Sequence, residues 1–113
     1  MNLYKTLLFF SLFVYSIFSY AQNSEHDPIY IDVRTWVEYQ VNHIDGHPRI
    51  HISELVDGVQ QQFPDKNTPI RLYCASGVRS GKGVEKLKQA GYLNVENLGG
   101  IDDVKALLDQ KAK

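Results

Sequence analysis

The sequence predicts an α/β domain built on a small parallel sheet. Short apolar, β-branched runs alternate along the chain with segments of helical periodicity, the pattern of parallel strands joined by helical crossovers. Asp32, Arg34, Cys74 and the Gly99-Gly100 pair all follow such runs. Ligands of parallel sheets bind beyond the carboxyl ends of the strands, so these residues are expected on one face.

The first 21 residues are set apart from that pattern. Lys5 supplies a positive start, Leu7 to Tyr20 is apolar and uncharged, and Ser19-Tyr20-Ala21 fits a small-x-small cleavage site. This reads as a secretory signal peptide cut before Gln22. It is shorter than the roughly 18–20 residues a membrane span needs. Export to the periplasm is expected, with no stable membrane association after cleavage. Gln22–Lys113 reads as a single small domain, large enough for a core, and a monomer is expected.

The chain carries 12 Lys and Arg against 13 Asp and Glu, a net charge of −1. Losing Lys5 with the leader makes the remainder more negative. No basic patch for nucleic acid is visible.

The elements follow in order. Pro28 to Val33 reads as a buried strand. Thr35 and Glu38 form a capping box for a short helix to about Asn42. Trp36 and Tyr39 are expected to pack into the core. His43 to Pro48 is a loop by its Gly and Pro. Arg49 to Ile52 alternates and reads as a strand. Ser53 is expected to cap a helix to about Phe63, with Leu55, Val56, Val59 and Phe63 inward. Ile70 to Tyr73 is a strand leading into Cys74. A helix runs from about Ser80 to Ala90, and Gly91 takes the left-handed position after it. Tyr92 to Leu98 is a strand that Gly99-Gly100 breaks. Asp102 is expected to cap the last helix.

Cys74-Ala75-Ser76-Gly77-Val78-Arg79-Ser80 is the stretch with chemistry in it. It delivers the only cysteine into a loop of small residues at a helix start. Backbone N–H groups converge there and the helix dipole adds partial positive charge. Both favour the thiolate, the reactive form of cysteine. Arg79 adds a permanent charge and a fork of donors. A single cysteine has no partner to resolve a disulfide, which argues against redox chemistry. Gly77 supplies backbone freedom for the loop. Gly81 and Gly83 are expected where the next helix approaches the sheet.

His43, His47 and His51 are spaced by four, as on a metal-binding helix face. Gly46 and Pro48 interrupt any such helix, so no metal is expected.

Three motifs in order resemble the rhodanese-like domain family: Asp32-Val33-Arg34 with Glu38-Tyr39 and His43-Ile44, the Cys74 loop, and Asn97-Leu98-Gly99-Gly100. The chain departs at Asn42, Asp45 and His47, where the family usually has Gly, Pro and Ala. The resemblance implies a three-layer α/β/α fold and a sulfurtransferase without cofactor. Cys74 to Arg79 spans six residues, the sulfurtransferase length, whereas related phosphatases have seven. It further implies that Cys74 takes a sulfane sulfur from thiosulfate or a similar donor and passes it to cyanide or a thiol. Amides from Ala75 to Ser80, including those of Ser76, Gly77 and Val78, would hold the persulfide. Ser76 and Ser80 would add hydroxyl donors. Arg79 would bind the donor's sulfonate or lower the thiol pKa. Asp32 and Arg34 are expected to be supporting residues, with Asp32 accepting bonds from loop backbone and Arg34 pairing with Glu38. A non-enzymatic persulfide carrier and a phosphatase or arsenate reductase are the competing readings.

Overall fold

The computed structural model describes residues 27–113. The expected leader and its cleavage site lie outside the described residues. Three parallel strands form the sheet in the order β1 (Ile29–Asp32), β2 (Ile70–Cys74) and β3 (Val95–Gly100). The helices are α1 (Trp36–Val41), α2 (Leu55–Gln62), α3 (Val78–Gln89) and α4 (Ile101–Lys111), with one 3-10 turn at Ile52–Glu54.

The alternation of side chains along the strands builds two cores. Ile31, Ile70, Leu72, Cys74 and Val95 face the side covered by α2 and α3, where Leu55, Val59, Val84 and Leu87 meet them. Tyr73 faces the other side, packed with Ile101 and Val104 of α4 and with Tyr30 and Leu98. Helices on both faces of a parallel sheet give the three-layer α/β/α arrangement. Gly83 permits the close approach of α3, as the sequence implies. A Cβ there would stand 2.8 Å from Leu55 Cδ2 and 3.0 Å from Leu72 Cδ1.

Several local expectations are corrected. The segment after Pro48 is not a strand. It makes one bridge, Arg49 with Asp32. It then curls into the 3-10 turn, because the Ser53 N–H donates to His51 Nδ1 at 3.3 Å. Ser53 therefore does not cap α2. α3 begins two residues before Ser80, with Gly77 as its left-handed N-cap at φ 95°. β3 runs on through Gly99-Gly100 rather than ending before them, and Gly100, not Asp102, caps α4. The Gly100 N–H donates to the Asp103 carboxylate at 2.8 Å.

A further correction concerns α1. Its capping box forms as expected, with the Glu38 N–H donating to Thr35 Oγ1 and the Thr35 N–H to Glu38 Oε1, both at 3.2 Å. None of its residues is buried, however. Trp36 is 61% exposed, and Tyr39 is half-buried, its ring stacked on His43. The helix lies at the rim of the sheet and is tethered by polar groups, not by an apolar stripe.

Candidate active site

β2 is the central strand, and Cys74 is its last residue. Ala75, Ser76 and Gly77 turn the chain directly into α3. The neighbouring strand accommodates the turn. Leu72 pairs with Asn97 but Cys74 pairs with Gly100, so β3 carries one extra residue, a bulge beside the cysteine. Gly99 adopts φ 91° there. Gly100 is required by contact, since a Cβ on it would collide with the Ala75 carbonyl oxygen.

The Cys74 side chain is 0% exposed. Its sulfur receives the Gly77 N–H at 3.0 Å and lies 3.3 Å from the Ser80 hydroxyl. Burial alone pushes a thiol up. Here the Ser80 hydroxyl and the backbone N–H groups of Ser80, Ser76 and Gly77 outweigh burial and bring Cys74 down to about 7. Donors that favour the charged form win over desolvation, so a large share of the sulfur is thiolate at neutral pH. The sequence places the thiol in a loop of small residues. The structure closes the loop around it, with Ala75, Ser76 and Val78 on the outside.

One residue ties the two sulfur donors together. The Ser80 hydroxyl is 2.7 Å from Asn97 Oδ1, and Asn97 Nδ2 donates to the Gly77 carbonyl at 2.9 Å. Asn97 Oδ1 also accepts the Gly99 N–H at 2.9 Å. Its amide is therefore oriented unambiguously. Sequence reasoning placed Asn97 in a family segment but gave it no role. Its distance along the chain from Gly77 and Ser80 left no local signal.

Arg79 keeps the Cys74 sulfur only as a weaker neighbour. Its fork is held end-on by Glu38, with Nη1 donating to Oε1 at 2.7 Å and Nη2 to Oε2 at 2.8 Å. Arg79, with support from the Thr35 hydroxyl and N–H and against burial, draws Glu38 down to about 2. Glu38 in turn raises Arg79, and a thiolate at Cys74 adds to this both as a nearby charge and as a hydrogen-bond acceptor. The expected Arg34–Glu38 pair is thus replaced by Arg79–Glu38.

Arg34 turns the other way. Its Nε and Nη2 donate to both Asp32 carboxylate oxygens at 2.8–3.1 Å. Asp32 also accepts the Arg34 backbone N–H at 3.0 Å. Both side chains are buried. Arg34 Nη2 reaches on to the Asn42 carbonyl at the end of α1. Asp32 thus accepts from Arg34 and not from the cysteine loop. The pair fastens α1 and the following loop to the sheet, and neither residue bonds the cysteine loop.

The three histidines have separate partners. His43 contacts the Tyr39 carbonyl and Asp45, and His51 caps the 3-10 turn. His47 Nδ1 is 2.9 Å from the buried Tyr73 hydroxyl. Burial lowers His47, opposed by Asp32, and burial raises Tyr73. That cluster lies across the sheet from Cys74, since Tyr73 and Cys74 belong to opposite cores.

A buried cysteine at the end of a central parallel strand, bonded by a backbone N–H and a hydroxyl from the start of the next helix, defines an α/β protein with a cysteine-bearing strand-to-helix loop. Residues 19–107 match the rhodanese-like domain, and the chain belongs to that family. It is 39% identical over 75 residues to the thiosulfate sulfurtransferase PspE of Escherichia coli (strain K12), covering 66% of this chain and 72% of that one. It is 33% identical to the tRNA uridine(34) hydroxylase of Bdellovibrio bacteriovorus, over 71% of this chain but only 24% of that relative's length. A solved structure described as a rhodanese with anions from E. coli superposes with a TM-score of 0.65 at 38% identity, covering 68% of this chain and 91% of that one.

Proposed function

We propose that the protein is a periplasmic thiosulfate sulfurtransferase acting through a persulfide on Cys74. The observation that carries this is the sulfur itself, held by the Gly77 N–H and the Ser80 hydroxyl with its pKa near 7. The Cys74 thiolate attacks the outer sulfur of thiosulfate. The sulfur–sulfur bond of the donor breaks, sulfite departs with the electron pair, and Cys74 carries a persulfide anion. Cyanide or a thiolate acceptor then attacks the terminal sulfur and regenerates the Cys74 thiolate. This is nucleophilic catalysis in ping-pong form. The amides from Ala75 to Ser80 line the position where persulfide charge develops.

The leader reading supplies the compartment: cleavage before Gln22 leaves one exported domain. Among the described residues no helix is long and apolar enough to cross a membrane.

Purified protein given thiosulfate should gain the mass of one sulfur atom, release sulfite and form thiocyanate with cyanide. Cys74→Ser should do none of these. Normal turnover in that variant sinks the proposal. An adduct that passes to a protein thiol but never to cyanide would replace it with the carrier reading.

A further inference from the structure

Ser80 is buried, and its hydroxyl has one proton with two acceptors in reach. Asn97 Oδ1 is 2.7 Å away and Cys74 Sγ is 3.3 Å away. The shorter contact has the usual length of an O–H···O bond. Its acceptor cannot turn aside. Asn97 Nδ2 donates to the Gly77 carbonyl at 2.9 Å, and Oδ1 also accepts the Gly99 N–H at 2.9 Å. Turning the amide over would set Nδ2 against the Gly99 N–H, donor against donor. Asn97 therefore keeps one oxygen on the Ser80 hydroxyl.

The sulfur beside that hydroxyl changes its charge during sulfur transfer. As a thiolate, Cys74 Sγ carries the charge and attracts the Ser80 proton. Once it holds a second sulfur, the charge sits on the outer atom and Sγ becomes a neutral bridging atom, a weak acceptor. A buried hydroxyl with no other partner would then be stranded, and that cost would oppose the attack.

We propose that Asn97 is a positioning residue that keeps an acceptor ready for the Ser80 proton, yielding it to Cys74 Sγ while that sulfur is charged and regaining it as the charge moves to the incoming sulfur. The proton stays bonded to Ser80 Oγ throughout. Only its direction changes, so no covalent bond forms or breaks in this step. The second half of the cycle rests on the sulfurtransferase reading, whereas the first half concerns the thiol and thiolate alone. The consequence is a thiolate stabilised less than an uncontested hydroxyl would stabilise it, and a less stabilised thiolate is the better nucleophile. Asn97 bonds Ser80, Gly77 and Gly99, and it acts on the sulfur through Ser80. The charges around this group are paired elsewhere. Arg79 is held by Glu38, Glu96 beside Asn97 pairs with Arg71 at 3.1 Å, and the Asp103 carboxylate accepts the Gly100 N–H.

Asn97 is exposed, so Asn97→Ala opens no cavity. With no sulfur donor present, the pH midpoint of iodoacetamide alkylation at Cys74 should fall by roughly half a unit to one unit in this variant, the size of one lost competing hydrogen bond. Removing a residue that merely braces the loop would loosen the donors to sulfur and raise the midpoint. Asn97→Asp keeps the acceptor oxygen and adds a charge to it, so the midpoint should rise instead. In a Ser80→Ala background, Asn97→Ala should leave the midpoint unmoved. Single-turnover sulfite release from thiosulfate, measured above both midpoints, should slow by about two- to threefold in Asn97→Ala. A midpoint that rises or stays in Asn97→Ala, or that shifts equally without the Ser80 hydroxyl, overturns the inference. Midpoints that move as stated, with no sulfite release from the parent or any variant, leave the Asn97 role standing and remove the thiosulfate reading.

Discussion

The Ser80 hydroxyl lies between two acceptors, 2.7 Å from Asn97 Oδ1 and 3.3 Å from Cys74 Sγ. It has one proton to give. When Cys74 is a thiolate, donation to sulfur stabilises the charge, and the oxygen of Asn97 keeps the Gly99 N–H. Ser80→Ala removes the one side-chain hydroxyl bonded to the sulfur among the described residues. A hydrogen bond to a charged group contributes about 1.5–3 kcal/mol, so the thiol pKa should rise by about one to two units. The pH dependence of iodoacetamide alkylation measures it. An unshifted midpoint would mean that the backbone amides alone hold the thiolate.

The same lowered pKa links thiolate formation to folding. Cys74 falls from an ordinary value of 9.0 to about 7 in the folded chain. Its contribution is therefore fully present above pH 9, falls as pH drops toward 7, and is absent below. Two units correspond to an upper figure on the order of 2–3 kcal/mol. Urea unfolding at pH 6 and pH 9 should show the parent gaining stability relative to Cys74→Ser as pH rises. Parallel profiles for the two proteins would contradict this.

Gly100 is predicted to be intolerant of any side chain. Its missing Cβ is the space taken by the Ala75 carbonyl, the first peptide of the cysteine loop. Gly100→Ala must move that peptide. Displacing a catalytic group by about 1 Å costs on the order of 100-fold in rate. Sulfur-transfer kcat/KM should fall by that order while far-UV circular dichroism stays close to the parent. Unaltered kinetics would show that the loop adjusts freely.

Asp32 is predicted to matter for stability and not for chemistry. Asp32→Asn leaves the Arg34 guanidinium buried with an uncompensated charge, which costs about 3–5 kcal/mol. The urea midpoint should drop accordingly, whereas the Cys74 alkylation midpoint should stay near 7. A shifted alkylation midpoint would place Asp32 in the thiolate's environment after all.

Regular elements were readable in the sequence because their signals are local. The run from Ile70 to Tyr73, the capping box at Thr35 and the left-handed Gly91 each depend on a few adjacent residues, and each forms. What failed depends on the rest of the molecule. Arg34 and Glu38 are four apart, the spacing of a helical ion pair, but Arg34 lies outside the helix and finds Asp32 two residues away. Glu38 is then free for Arg79, 41 residues on. Trp36 looks like a core residue by type, yet the core ends before the rim where α1 sits. In the cysteine loop, local order placed Cys74 and Gly77, but nothing local could reveal that Asn97 braces them.

α1 adds no buried residue to either core. Its exposed Trp36, Val37 and Val41 can change without opening a cavity. The helix nevertheless delivers Glu38 to the mouth of the cysteine loop. Its outward positions can therefore diverge among descendants of this fold at little expense in stability. Relatives can acquire new partners or donors by altering this short segment, while the strand and amides that activate the sulfur stay as they are.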